Sequence, residues 1–165
     1  MSRKKRVLKR PKILEDKAYG SILVSRLINR LMWDGRKTIA TKVVTNSLKD
    51  AAEELKITPL EVLETAVENT KPQIEVKSMR VGGASYQVPT EPYPARALRL
   101  SLTWMVNAAR DVKGKPMVIK LKDILVSSYN GEGPAVAKRN TVHQLAAGNK
   151  AFAHLAMWAK KRASK

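Results

Sequence analysis

The segment IEVKSMRVGGASYQV, residues 74–88, is the most informative part of the chain about the fold, because apolar and polar side chains alternate along it with a period of two. Two such runs flank Gly82 and Gly83, and a glycine pair between alternating runs predicts a β-hairpin with a two-residue turn. With the glycines at the central turn positions, Arg80 pairs with Ser85. An isolated hairpin is marginally stable in water, so this one must pack on helices or be held by a ligand. The predicted register gives one face Met79, Val81, Tyr86 and Val88, and the other Ser78, Arg80, Ser85 and Gln87.

On both sides of the hairpin the apolar period is 3.6 residues, which is typical of helices. Thr58 is placed to cap one of them, with Pro59 at its first position and Glu61 placed to close a capping box. A short additional helix is predicted past Asn149. We therefore predict a mainly α protein, a six-helix bundle with an inserted β-hairpin (β-ribbon arm) between helices three and four and a basic N-terminal arm. The six helices begin near Gly20, Lys37, Thr58, Ala95, Lys115 and Pro134.

Apolar stripes on the first two helices predict which side chains are buried. On the first helix Ile22, Leu27 and Ile28 are expected on one face, and on the second Ile39 and Val44 are expected in one apolar stripe.

The length of 165 residues suits one domain with a real core and hardly two. Residues 1–12 lack the apolar content to fold alone, and we predict a flexible basic arm there that orders on its partner. Residues 13–158 are expected to form a single helical domain that includes the hairpin at 73–89. Residues 159–165 are expected to form a basic C-terminal tail.

Basic residues are concentrated at the two ends of the chain. Of 32 Lys and Arg residues, seven lie in residues 1–12 and seven in 133–165, and neither segment contains an acid. The residues between them carry 18 bases and 14 acids. Charge sorted in this way indicates a polyanionic partner, because clustered cations release the counterions condensed on phosphates. Solubility alone is the alternative, but it does not require one sign of charge at both ends.

Several functional classes find no support in the sequence. Cysteine is absent, which excludes disulfides and thiolate metal sites. Neither His143 nor His154 has a carboxylate within helical reach, and no nucleotide or metalloprotease motif occurs, so we predict no enzyme, no cofactor, no metal and no small-molecule substrate. No apolar run is long enough for a membrane span, and no secretory signal is present. A cytoplasmic protein fits best, with nuclear or organelle targeting by Arg3–Arg10 as the alternative.

Candidate nucleic-acid contacts follow from the same charge pattern. A glycine tip beside Arg80 allows close approach to a phosphate backbone through exposed N–H groups. Lys138, Arg139 and His143 share a region of the sixth helix and form a second candidate face. Acids concentrate on helices two and three, a region we expect to point away from a polyanion. These acids are Asp50, Glu53, Glu54, Glu61, Glu64 and Glu68.

The hairpin segment MRVGGASYQVP, residues 79–89, resembles the signature of small-subunit ribosomal protein seven. Further passages agree with that family in order and spacing, and the resemblance spans about residues 10–158. They are YGS at 19–21, NRLMWDGRK at 29–37, ENTKP at 68–72, GPAVAKR at 133–139, His143, and NKAFAH at 149–154.

The resemblance implies a structural role in the small ribosomal subunit. Members of this family bind the 3′ major domain of small-subunit rRNA, organise the subunit head, and lie near the exit-site tRNA and the mRNA exit path. They contact neighbouring head and platform proteins, and bacterial members repress translation of their own operon. Carried over by position, the rRNA contacts that the resemblance implies are Lys77, Arg80, Gly82, Gly83, Arg96, Lys138, Arg139, His143 and Lys150. The charge pattern adds the candidate rRNA contacts Arg3, Lys4, Lys5, Arg6, Lys9, Arg10, Arg36, Lys37, Arg99 and Lys115. The residues expected near tRNA or mRNA are Arg80, Val81, Gly82, Gly83, Ala84, Lys150 and His154.

This chain departs from the family pattern at some positions on helices four and six and near the C-terminus. Ala97 and Thr103 stand where the family usually has arginines, and Arg99 is an addition. Asn140-Thr141 replaces an acid-rich passage, and Leu155-Ala156-Met157 replaces Tyr-Arg.

Two other functions remain open from the sequence. One is a DNA-bending architectural protein, although the hairpin tip lacks the apolar wedge that such proteins insert. The other is a cationic scaffold for an acidic protein.

Overall fold

A computed structural model describes residues 13–81 and 83–156 of the chain. The predicted arm at 1–12, Gly82, and the tail at 159–165 lie outside the described residues. Within them the predicted mainly α fold is confirmed, with a two-stranded antiparallel hairpin between the third and fourth helices. The elements are α1 (Ile22–Leu31), α2 (Lys37–Leu55), α3 (Pro59–Thr70), β1 (Glu75–Val81), β2 (Ala84–Thr90), α4 (Pro94–Asp111), α5 (Met117–Tyr129), α6 (Gly133–Gly148) and a 3₁₀ helix (Lys150–Phe152).

Helix ends follow local capping chemistry. The Ser21 hydroxyl accepts the Leu23 N–H at 3.2 Å and begins α1. The Thr58 hydroxyl accepts the Glu61 N–H at 3.4 Å and begins α3. Only one of the two hydrogen bonds of the predicted capping box forms, the bond from the Glu61 N–H to the Thr58 hydroxyl. The Glu61 carboxylate accepts from the Thr58 hydroxyl at 3.5 Å and not from the Thr58 backbone N–H. Residues 153–156 are helical, which confirms a short helical segment past Asn149.

One core joins the six helices, with α5 packed against α2, α3 and α4. Two predicted core residues are exposed instead, Ile22 at 44% and Ile39 at 57%. The reason is helix phase. The buried stripe of α1 is Val24, Leu27, Ile28 and Leu31, and Ile22 lies two residues before it, about 200° around the axis. The largest fully buried side chains include Leu27, Leu48, Leu63, Met105, Leu121 and Leu125.

The hairpin has the predicted register. Val81 pairs with Ala84 and Arg80 with Ser85, which leaves a two-residue turn, and Gly83 has a positive φ of 93° that suits glycine. Its Tyr86 face packs inward, where the Tyr86 and Phe152 ring centroids lie 5.2 Å apart. The hairpin also contacts α6. It therefore leans on α6 and on the 3₁₀ helix, as the instability of an isolated hairpin requires.

Replacing Phe152 with alanine is expected to loosen the hairpin. Aromatic pairs contribute about 0.5–1.5 kcal/mol beyond the area they bury, so amide exchange in β1 and β2 should accelerate up to about tenfold while α2 and α5 are unaffected. Hydrogen-exchange mass spectrometry checks this, with Tyr93→Ala as a control because that ring is 75% exposed. Equal acceleration in both variants would show that the Tyr86–Phe152 contact does not hold the hairpin.

Candidate nucleic-acid interface

At the base of the hairpin, the buried carboxylate of Glu75 is paired with two of the residues predicted to contact rRNA, Arg96 and Lys77. The Arg96 Nε donates to Glu75 Oε2 at 2.5 Å, and the Lys77 Nζ lies 3.0 Å from Glu75 Oε1. The Glu75 side chain is only 7% exposed, whereas both cations are roughly half exposed. This acid thus joins the start of α4 to β1 and sets the direction in which Arg96 and Lys77 face solvent.

Glu75 remains ionised in this setting. Burial alone raises the pKa of its carboxyl, but the hydrogen bonds and charges of Arg96 and Lys77 outweigh burial and lower the pKa below its ordinary value. Glu75 was not among the predicted site residues. Its position at the start of an alternating strand, two residues before a lysine, was the available signal.

The exposed face of the hairpin carries Arg80, and no acid of the described residues forms an ion pair with it. Val81, Gly83 and Ala84 lie at the tip beside it. Lys150 is exposed at the start of the 3₁₀ helix, which packs on β2. His154 is also exposed, and its Nδ1 lies 2.9 Å from the Ala151 carbonyl oxygen.

On α6, the predicted contact Arg139 is already bonded to another helix. The Arg139 guanidinium donates to the Asn69 carbonyl at the end of α3 and to the Asn140 side chain. The Asn69 amide in turn donates to the Ser128 and Tyr129 carbonyls, at 3.1 and 2.8 Å. Arg139 is therefore part of the junction between α3, α5 and α6. Lys138, by contrast, is exposed and forms no ion pair within the described part of the chain.

His143 also connects α6 to the rest of the fold. Its Nε2 accepts the Gln73 backbone N–H at 3.2 Å, just before β1. Burial, and secondarily the nearby Arg139 charge, lower the pKa of His143 below its ordinary value. The imidazole thus acts as a neutral acceptor that holds the entry to the hairpin.

The free energy of unfolding should fall on mild acidification because of His143. Below about pH 6.5 the unfolded chain takes up this proton before the folded chain does, so stability declines until the folded pKa is passed. Urea unfolding at pH 7.5 and pH 5.5 should show a loss below about 1 kcal/mol that is smaller in His143→Gln, whose side-chain oxygen still accepts a hydrogen bond. A His154→Gln control should keep the wild-type difference, and an unchanged difference in His143→Gln would contradict this account.

The turn between α1 and α2 presents a second exposed basic region. Arg36 and Lys37 are exposed there, next to Trp33, whose side chain is 68% exposed. The Arg110 guanidinium lies 5.3 Å from the Trp33 ring centroid and donates to the Leu31 carbonyl at 3.1 Å, so it anchors this turn to α4. A further predicted contact, the Lys115 side chain, is 3.4 Å from Asp123.

The predicted contacts thus lie on the hairpin and its base, on α6 and the 3₁₀ helix, on α4, and at the turn between α1 and α2. Arg99 lies in a groove between α1 and α4 beside Arg26 and Arg30, neither of which was predicted. Their i, i+4 spacing on α1 was the signal in the sequence.

The six acids of α2 and α3 are all exposed, as expected of a solvated face. Among the described residues, no group of three or more His, Cys, Asp or Glu is placed to hold a metal ion. Nor is any helix of the described segments both long and apolar enough to cross a membrane.

Comparison with known proteins agrees with this architecture. A family model described as "Ribosomal protein S7p/S5e" matches residues 2–150. The chain is 49% identical over 143 residues to the small ribosomal subunit protein uS7 of Thermosipho melanesiensis. The aligned region covers 87% of this chain and 92% of that protein. It is 48% identical over 152 residues to the protein of the same name from Thermotoga maritima, with coverages of 92% and 97%. The resemblance carried by the hairpin and helix motifs is therefore confirmed, and the chain belongs to the ribosomal protein S7p/S5e family.

Proposed function

We propose that this protein is a structural, non-enzymatic constituent of the small ribosomal subunit that works by binding rRNA. The observation that carries the proposal is the family match across residues 2–150, which includes the bundle, the hairpin and its basic exposed face. The charge distribution supports it, because fourteen of the 32 basic residues lie in two acid-free terminal segments. The ribosomal role places the protein in the cytoplasm.

In finer detail, the proposed target is the 3′ major domain of small-subunit rRNA, where the protein nucleates assembly of the head. The hairpin tip and the segment around Lys150 and His154 are proposed to lie near the exit-site tRNA and mRNA. Neighbouring head and platform proteins are proposed as further contacts. Repression of its own operon, by binding the messenger with the same surface, is the most distant part of this proposal, and it rests on the family resemblance alone.

The cations are proposed to divide into two kinds by the partners they already have. Arg80, Lys138, Arg36 and Lys37 are exposed and form no ion pair with the described residues, so they are suited to direct phosphate contact. Arg139 and His143 are suited to positioning, since both already bond to distant backbone atoms. Arg96 and Lys77 combine the two roles, since each is paired with Glu75 yet half exposed.

Binding to a transcribed 3′ major-domain fragment across a salt series tests the proposal. With about eight phosphates engaged, log affinity should fall against log salt with a slope of about −6 to −7. Arg80→Ala should weaken binding about tenfold and reduce that slope by about one. Lys49→Ala, which removes an exposed cation beside the acidic residues of α2, is the matched control and should have little effect.

Competitors decide between the proposed function and the two alternatives. Nanomolar rRNA binding that survives scrambled RNA and duplex DNA near physiological salt would support rRNA recognition. Equal binding to all three, lost together as salt rises, would overturn it. Preference for bent duplex DNA would indicate an architectural protein. Poor competition by RNA for an acidic protein partner would indicate a scaffold.

A further inference from the structure

A groove between α1 and α4 brings together arginines that are far apart in the sequence. It has a volume of about 310 Å³ and is lined by Arg26, Asn29 and Arg30 from α1, Leu98 and Arg99 from α4, and Ile13. None of the described residues that line it is acidic. Arg30 and Arg99 are exposed at its rim, while Arg26 is half-buried. We call this feature the α1–α4 groove.

The three guanidinium groups have no anionic partner in the described part of the chain. None forms an ion pair there, and the Arg26 Nε is buried without a hydrogen-bond partner among those residues. Glu64 and Glu68 line a neighbouring depression that shares Arg26, Ala95 and Leu98 with the groove, and neither forms an ion pair with Arg26. A buried donor that lacks an acceptor is costly, and guanidinium groups match phosphate oxygens in pairs. The groove is therefore chemically suited to a phosphate anion.

Arg99 lies on the side of α4 that lines the groove. The two family positions that lack arginine here do not line the groove, and Ala97 is 3% exposed against the core. Arg99, the additional arginine of α4, does line it. The apolar side chains of Ile13 and Leu98 offer a surface for ribose next to the charges. A sugar–phosphate backbone presents these two kinds of surface in alternation.

We propose that the α1–α4 groove is a binding site for the sugar–phosphate backbone of RNA, with Arg26, Arg30 and Arg99 as its phosphate ligands. The inference rests on the proposed function and adds a specific subsite to it. Arg26 is expected to bind deepest, because its Nε is buried and has no acceptor among the described residues. Arg30 and Arg99 close on the phosphate from the two helices. Because no base edge is required, the site should contribute affinity and orientation rather than base specificity.

Two sets of substitutions with equal charge change test the site. Arg26→Gln, Arg30→Gln and Arg99→Gln together remove three positive charges from the groove. Lys42→Gln, Lys49→Gln and Lys56→Gln remove three exposed charges from the α2 side. The groove variant should bind the rRNA fragment on the order of 30-fold or more weaker than the control variant, with a salt slope less negative by about 2–3. Because Arg26 is half-buried, the Arg30→Gln, Arg99→Gln double variant, with both side chains exposed, tests the site without disturbing the fold.

A tethered probe locates the RNA independently of affinity. The chain has no cysteine, so Asn29→Cys in the groove and Glu53→Cys on α2 are single attachment sites for an iron chelate that generates hydroxyl radicals. Asn29→Cys should cleave bound rRNA at a confined backbone segment, and Glu53→Cys should not.

The outcomes separate this inference from the proposed function. Tight, specific rRNA binding by the wild type, with equal losses in the groove and control variants, would overturn the groove site and leave the ribosomal role intact. Failure of the wild type to prefer rRNA would overturn the ribosomal role itself. Displacement of RNA by inorganic phosphate at matched ionic strength, seen in the wild type and absent from the groove variant, would assign the site to a free phosphate instead of the RNA backbone.

Discussion

Replacing Leu125 with alanine is expected to lower the free energy of unfolding by about 3 kcal/mol. Leu125 is fully buried on α5, the helix that packs against α2, α3 and α4 at once. Truncation removes apolar contacts and leaves a cavity that three neighbouring helices prevent from collapsing. For a chain of this size the midpoint of thermal unfolding should fall by roughly 10 °C. Differential scanning calorimetry and urea unfolding followed by circular dichroism measure both quantities.

Leu145→Ala is the matched control for Leu125→Ala. It makes the same chemical change on α6, but its side chain is 55% exposed, so the free energy of unfolding should change by no more than about 0.5 kcal/mol. A loss below about 1 kcal/mol in Leu125→Ala would mean that α5 is not the centre of the core. Since the hairpin leans on the bundle, the Leu125→Ala variant should also lose rRNA affinity in proportion to its unfolded fraction.

Replacing Glu75 with alanine is expected to have the second largest effect, a loss of about 1–3 kcal/mol in the free energy of unfolding. The substitution leaves Arg96 and Lys77 side by side without their shared carboxylate at the base of the hairpin. Because both cations are roughly half exposed, water recovers part of the lost interaction, which keeps the value within that range. Glu68→Ala is the control, since its side chain is 73% exposed and its bridge to Lys71 should contribute less than about 0.5 kcal/mol.

The same carboxyl predicts how stability depends on acid pH. Its pKa is lowered on folding, so its contribution is fully present above the ordinary pKa of about 4.5 and is lost as pH falls through the lower folded pKa. Wild type and Glu75→Gln should therefore converge in stability at low pH and differ near neutrality. If the difference between them is the same at pH 3 and pH 7, the ion pairs of Glu75 do not stabilise the fold.

Glu75 also has an expected effect on RNA binding that differs from its effect on stability. Freed from the carboxylate, Arg96 and Lys77 should bind RNA more strongly but with less preference for the correct RNA, because their orientation is no longer imposed. Glu75→Gln is thus expected to raise affinity for scrambled RNA more than affinity for the rRNA fragment. The ratio of the two affinities, measured at one salt concentration, is the informative quantity.

The order of the elements, the register of the hairpin and the family could all be predicted from the sequence. Each of these depends on local information. Alternation around the glycine pair sets the pairing of Arg80 with Ser85, and the 3.6-residue period sets the helices. Prediction failed for Ile22 and Ile39 because apolar residues of a helix can extend beyond the face that its neighbours cover, and only the residues on that face are buried.

Which cations are available to a partner could not be predicted from the sequence and depends on how the helices pack. In the sequence, Lys138, Arg139 and His143 are equally plausible contacts on the same helix. In the fold, Arg139 and His143 form hydrogen bonds with residues about 70 positions away, whereas Lys138 stays exposed. In the same way the fold buries Glu75 between Arg96 and Lys77, and it assembles the α1–α4 groove from helices distant in sequence. The physical reason is that periodicity reports which face of an element is buried, whereas the partner of a charged side chain depends on which elements pack together.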